Sequence, residues 1–190
     1  MCRGHLLLAC LFLLVCAASL SGSAVHDIHS IDFRNFDYPE IPGETNTHIR
    51  LVNGHRDIAF GKDGPIDEPH NVEAGLESVH YGYWGTDENE VAAVVLWVSG
   101  GGTGVWQEIF IYSNTNNKPS LLWSFEGGDR ASGGVRAVYF ERSNLVVEVY
   151  EEWQGDPLCC ASHYTRRFFE RSGKKTLELT PQRGLPVPNR

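Results

Sequence analysis

Val91-Ala92-Ala93-Val94-Val95-Leu96-Trp97-Val98 is apolar along its length, so both faces of this strand must be covered, as at the centre of a sandwich or barrel. Its neighbours alternate instead. Leu121, Trp123 and Phe125 fall on one face with Leu122, Ser124 and Glu126 on the other, and Leu145, Val147 and Val149 oppose Val146, Glu148 and Tyr150. Further out, residues 47–52 and 55–60 flank Asn53-Gly54, two central residues that tolerate positive φ, and this predicts a hairpin. More strands are expected at 79–84, 105–112, 135–141, 164–171 and 176–180, joined by turns at 114–119, Ser143-Asn144 and Gly173. No segment shows a sustained helical stripe. The expected fold is all-β, an antiparallel meander of about eight to ten strands forming a sandwich or partly open barrel.

Composition agrees with a single ordered domain. The 190 residues are 42% hydrophobic and 21% charged, too apolar for disorder, and Gly 20 interrupts the chain too often for a helical bundle. The expected organisation is a signal peptide over 1–24, an extended N-terminal arm over 25–46, one β domain over 47–180 and a Pro-rich tail over 181–190 that contains Pro186 and Pro188. Arg3 and His5 form a short polar start and residues 6–15 an apolar run, followed by the small residues Ser19, Ser21, Gly22 and Ser23. The run is too short to span a bilayer, which takes about 20 apolar residues. Cleavage after Ser23 or after Ala24 satisfies the small-residue rule equally. Leu13-Leu14-Val15-Cys16 resembles a bacterial lipobox with a bulky Val15 before the cysteine, so membrane attachment is expected only through a lipid on Cys16. The expected location is outside the cytoplasm, in a periplasm, cell envelope or extracellular space.

Charge narrows the partners. Removing residues 1–24, whose only charge is Arg3, takes the net charge from −8 to −9, which excludes nucleic acid as a natural partner. Acids crowd residues 57–90, where Lys62 is the sole base, while Arg166, Arg167, Arg171, Lys174 and Lys175 oppose only Glu170.

Several constellations carry chemistry. After export, Cys159 and Cys160 are the remaining thiols apart from a lipidated Cys16, so an intramolecular disulfide must join adjacent residues. Adjacent Cα atoms lie near 3.8 Å, below the usual disulfide range from about 4.4 Å, and such a ring distorts the backbone. A turn clamp, free thiols and a redox or metal role with His163 as third ligand are the alternatives. The loop Gly127-Gly128-Asp129-Arg130-Ala131-Ser132-Gly133-Gly134 is either a bulged corner or a ligand cradle presenting Asp129 or Arg130. Trp97 and Trp123 occupy core positions, whereas Trp84, Trp106 and Trp153 lie near strand ends and are candidates for a surface groove that stacks on sugars. If the leader is cut after Ser23, the chain begins Ala24-Val25-His26, whose amine, amides and imidazole can hold copper or nickel in a square plane. Catalytic signatures are missing: there is no G-x-S-x-G, H-E-x-x-H or C-x-x-C, and Glu151 and Glu152 point to opposite faces of a strand.

The order Val79-His80-Tyr81-Gly82, Ala92-Ala93-Val94-Val95, Gly101-Gly102-Thr103-Gly104, Gly127-Gly128-Asp129-Arg130, Gly133-Gly134 and Cys159-Cys160 resembles an uncharacterised family of bacterial secreted or lipoprotein β-domains, over about residues 79–171. That resemblance implies the fold and location, with no activity. It also implies a calcium-type acidic loop between the first two blocks and a proline after the cysteine pair. This chain has Tyr83 at the first ligand position and Glu88 for the glycine, keeps Asp87 and Glu90, and has Ala161 for the proline. Calcium needs six to eight oxygens, so the loop is depleted as a site.

These features point to an exported, non-enzymatic β domain with a binding or structural role, its ligand protein or carbohydrate. The alternative is an enzyme: a hydrolase assembled from His80, His163 and Asp129, or a thiol-redox protein using Cys159 and Cys160. Intact mass of the protein expressed with its own leader is expected to show loss of residues 1–23 or 1–24, with alkylation adding to the cysteines only after reduction. Two alkyl groups added before reductant would rule out the adjacent disulfide.

Overall fold

The computed structural model describes residues 27–41, 48–56, 73–86, 89–99, 104–129, 134–151, 153–156 and 160–188. Among them, twelve strands form two antiparallel sheets, with one three-residue 3-10 helix at Ile28–Ser30. The first sheet runs in chain order through β1 (Asp37–Tyr38), β2 (Ile49–Val52), β3 (His55–Arg56), β4 (Glu73–Tyr83), β5 (Glu90–Ser99), β6 (Trp106–Thr115) and β7 (Lys118–Asp129). The second has β8 (Val135–Glu141), β9 (Asn144–Glu151), β10 (His163–Ser172) and β11 (Lys175–Glu178) as neighbours, with β12 (Gln182–Pro186) also paired to β10.

β5 is the strand that organises both layers. Ala92, Val94, Leu96 and Val98 belong to one buried cluster, and Val91, Ala93 and Val95 to another on the opposite face. The second sheet covers the latter face through Val138, Leu145, Val147 and Phe169. The first sheet covers the former by curling over itself: Tyr38 of β1, at the far edge, meets Phe110 and Tyr112 of β6 at ring-centroid distances of 5.7 and 6.2 Å. The result is a half-barrel closed by a second sheet, which is the all-β sandwich or partly open barrel that the alternation predicts.

The Asn53-Gly54 hairpin forms as expected, with φ of 55° and 89° at its centre and Leu51 paired to Arg56. Its residues 57–60 lie outside the described residues. The segment expected as an extended N-terminal arm is instead part of the core, because Ile28, Phe33, Tyr38 and Ile41 are all buried. Polar groups lock it there. Asp32 accepts from Arg34 N and Asn35 Nδ2, Arg34 Nη2 donates to Asn53 O at 2.9 Å, and Gly54 N donates to Arg34 O at 2.7 Å. At the other end, residues 182–186 are no free tail, since they add β12 to the edge of β10.

A bulge corrects the expected facing of β7. Ile111 pairs with Trp123 and Tyr112 with Leu121, leaving Leu122 unpaired. Trp123 packs on the core as expected and Leu122, expected on the other face, packs there with it, whereas Leu121, expected on the face of Trp123, is 43% exposed. Trp123 packs against Trp84 and Phe169 as a core residue should. Trp97 lies across Gly75, where a Cβ would come within 2.5 Å of the indole.

The two sheets are joined beside β4. Trp84 Nε1 donates to Phe169 O at 2.8 Å, and Gly85 N donates to Ser143 O at 2.7 Å. Gly85 has φ +76°, and a Cβ there would sit 2.3 Å from the Arg171 carbonyl oxygen. Gly173, with φ +62°, has open space around that position. In urea denaturation, Gly173→Ala is expected to cost about 1–2 kcal/mol from backbone conformation alone, and Gly85→Ala a further 1–3 kcal/mol or so from the collision. Equal losses would mean that the Gly85 turn does not hold the sheets together.

Candidate functional site

Strand pairing decides which loop residues meet. Glu73, Ser99, Trp106 and Asp129 share one end of the first sheet. Val135, Glu151, His163 and Pro186 share one end of the second. Val135 N donates to Gln107 Oε1 at 2.6 Å, so these are the same end of the sandwich. Trp106 and Trp153 lie at this end. Trp84 belongs to the opposite end and is fully buried, so it lines no groove.

The most developed arrangement surrounds Trp153, which is 46% exposed. His163 stacks on it with a centroid distance of 4.2 Å and an interplanar angle of 25°. The rim of the indole also closes over Gly184, 3.5 Å from where a Cβ would stand. Asp156 N donates to Trp153 O at 2.9 Å, folding residues 153–156 into a turn. Asp156 Oδ2 accepts from Ser162 N at 2.7 Å and from Ser162 Oγ at 2.8 Å. The Ser162 hydroxyl proton is thus committed to Asp156. The 2.7 Å contact between Ser162 Oγ and His163 Nδ1 then requires Nδ1 to donate, an assignment made from the hydrogen-bond network. His163 is held as the Nδ1–H tautomer in its neutral form.

His163 begins a row on one face of β10 that continues as Thr165, Arg167 and Phe169. Glu151 stands opposite His163 on β9. Its Oε2 accepts from Thr165 Oγ1 at 2.8 Å and from Gly184 N at 3.1 Å. Further along the row, Arg167 donates through Nε and Nη2 to both carboxylate oxygens of Glu178, at 2.7 and 2.8 Å, while its guanidinium lies 4.7 Å from the centre of the Phe125 ring. Between these groups opens a cleft of about 460 Å³ lined by Glu151, Thr165, Arg167, Glu178, Pro181 and Arg183. It exists because β12 pairs with the first half of β10 and β11 with the second, and residues 179–181 pass between them.

Local hydrogen bonds keep the acids ionised. The Thr165 hydroxyl, then the Gly184 amide, hold the Glu151 carboxyl below the usual carboxylate range. Arg167 does the same for Glu178, and the Ser162 amide and hydroxyl for Asp156. Arg183 acts on both Glu151 and Glu178 in the same sense.

Two other polar groupings lie outside this corner. On the outer face of the second sheet, Glu148 is 2% exposed and takes hydrogen bonds from Arg136, Arg166 and Tyr139. Burial and the neighbouring Glu148 carboxylate push the Tyr139 hydroxyl up to about 12. The second is Ser78 Oγ, 2.9 Å from His80 Nε2 beside a 260 Å³ cleft between β4 and β8. Burial lowers the pKa of His80. This cleft and the Trp153 corner are separate, so His80 and His163 do not converge as a hydrolase site would require.

The remaining sequence candidates fare unevenly. Trp106 is half-buried at the same end as Trp153. Asp129 pairs through its backbone with Trp106, but its side chain and Arg130 lie outside the described residues. Cys160 is exposed, and the adjacent disulfide expectation falls outside the described residues with Cys159. Of the calcium-type acids, Glu90 Oε2 bonds His29 Nε2 at 2.9 Å, and Asp87 is outside, as is His26. No group of three or more His, Cys, Asp or Glu placed to hold a metal ion occurs among the described residues. The basic stretch near the end finds its partners within the second sheet, Arg166 with Glu148 and Arg167 with Glu178.

Sequence reasoning missed Glu151, Asp156, Ser162, Thr165 and Arg183. One signal was readable: the β9–β10 hairpin places His163 opposite Glu151. Arg183 required knowing that the chain end returns to β10. Comparison of the chain with known protein families, with curated proteins and with solved structures gives no match.

A depressed carboxyl pKa stabilises the fold above the unfolded value and loses that contribution as pH falls through the folded value. Glu151, Asp156 and Glu178 should therefore begin to lose their contributions below about pH 4, the ordinary carboxylate range. Ser162→Ala is expected to raise the Asp156 pKa in a carboxyl NMR titration, leaving Glu178 unchanged; an unmoved Asp156 would refute the Ser162 hydroxyl contact.

Proposed function

We propose that the protein is an exported, non-enzymatic β domain that binds a ligand through the Trp153 corner and the cleft beside it. The location rests on the leader-like residues 1–24 and on the resemblance to secreted bacterial β-domains. The binding role rests on the corner itself, an exposed indole held by His163 and Gly184 next to a polar cleft.

The observation that carries the reading is the set of hydrogen bonds that the two acids in that cleft accept, Glu151 from Thr165 and Gly184 and Glu178 from both nitrogens of Arg167. Hydrolysis of a glycosidic bond by a carboxyl pair needs one member protonated, with its pKa raised towards neutrality. Both Glu151 and Glu178 are moved the other way. The nearby serine is equally unsuited to attack. Its proton goes to Asp156, and His163 donates to it through Nδ1, so the imidazole takes no proton from that hydroxyl. These groups orient and recognise; they do not transfer protons.

Incubation of the purified protein with nitrophenyl glycosides, nitrophenyl esters and a dithiol–disulfide couple is expected to give no turnover above the buffer blank. Product formation that is lost in Glu151→Gln, in Ser162→Ala or on alkylation of the cysteines would replace the binding role with an enzymatic one.

A further inference from the structure

We infer that the Trp153 corner and its cleft are one subsite for an uncharged pyranose residue of a polysaccharide. This inference rests on the binding role proposed above and specifies its ligand. A pyranose has an apolar face of C–H groups and a rim of hydroxyls, each of which both donates and accepts a hydrogen bond. A matching site needs a flat aromatic surface with charged donors and acceptors beside it. Trp153 supplies the surface, and its orientation is set before any ligand arrives by the His163 ring and by Gly184, which lessens the ordering cost of binding.

Donors and acceptors stand next to it. Gly184, under the indole, gives its amide to Glu151 Oε2, which also takes the Thr165 hydroxyl, so Trp153 and the Glu151 carboxylate are tied to the same residue. Glu151 Oε1 keeps its acceptor capacity for a ligand hydroxyl. Arg183 precedes Gly184, is exposed, and acts electrostatically on both Glu151 and Glu178. Its planar guanidinium is suited to two neighbouring hydroxyls.

The balance of charge selects against acidic glycans. Arg167 and Arg183 offset Glu151 and Glu178 within the cleft, Asp156 adds a negative charge beside Trp153, and the whole chain carries −8. A uronate or sulfated chain would meet ionised carboxylates without a surplus of cations. A protein partner fits less well, because protein interfaces centre on apolar clusters. At this corner Trp153 stands among polar groups; of the other exposed apolar side chains among the described residues, Leu177 occupies the opposite face of β11 from Glu178, and Leu179, which follows that strand, does not line the cleft.

The test is affinity electrophoresis of the purified protein in gels containing mixed-linkage glucan, galactomannan, arabinoxylan or polygalacturonate, followed by calorimetry with any polymer that retards it. At least one neutral polymer is expected to retard the wild type. Trp153→Ala should weaken that binding about tenfold or more, Trp153→Phe should retain part of it, and Arg183→Ala should weaken it without changing the thermal midpoint. Retardation by polygalacturonate alone, or binding to a protein array that depends on Trp153, would overturn the neutral-sugar inference and leave the binding role standing. If Trp153→Ala changes binding to no polymer and no arrayed protein, both fail.

Discussion

A strand without a polar face has to be covered twice, and β5 imposes that constraint on everything around it. Burying one Val or Leu side chain contributes about 1.5–3 kcal/mol, so uncovering either side of β5 would forfeit several times that, comparable to the whole stability of a domain at about 5–15 kcal/mol. One cover is the second sheet. The other comes from the chain before β2, which explains why a stretch with two prolines and little periodicity nevertheless buries Ile28, Phe33, Tyr38 and Ile41. The polar clamp between Arg34 and the Asn53-Gly54 turn fixes the angle at which that segment crosses the sheet.

The same double layering produces the candidate site. The second sheet must present an apolar inner face to β5 and β6, and it does so with Val147 and Phe169. Towards the start of β10, the two short strands paired to it leave a gap between them. The inward positions there become Thr165, His163 and Glu151, which are polar because water reaches them. On the outer face, Glu148 ties β8 to β10 through Arg136 and Arg166. Breaking such a buried pair costs about 3–5 kcal/mol, so the strands that carry the site are held on both faces.

What could be read from the sequence follows the range of the interaction. The Asn53-Gly54 turn depends on neighbours in sequence and appears as expected. The inward set of β9, Leu145, Val147 and Val149, also holds, but Val146 and Glu148 on the other face are buried as well, because Arg136, Tyr139 and Arg166 from the flanking strands gather on Glu148. The facing of Leu121 failed because a bulge is one unpaired residue whose position depends on β6. The ends of the chain failed for a related reason: nothing local in residues 28–41 or 182–186 announces a partner, which is supplied by β5, β6 and β10. In the candidate site, Trp153 stood out by residue type and His163 by its place beside the cysteines, whereas Glu151 and Arg183 acquire meaning only when Gly184 comes to lie under Trp153.

Hydrogen bonds decide the chemistry that remains open to that corner. A carboxylate accepting from Thr165 and a backbone amide, another gripped by a bidentate arginine, and a third accepting two bonds from Ser162 have all been stabilised in the charged form. Groups fixed in this way make poor proton carriers, because giving or taking a proton would break the contacts that hold them. They make good recognition elements for the same reason, since their direction and charge are set in advance. Carboxyl groups with depressed pKa values keep their charge to lower pH than free carboxyl groups do. The hydrogen bonds that fix these carboxylates thus set both their charge and their direction.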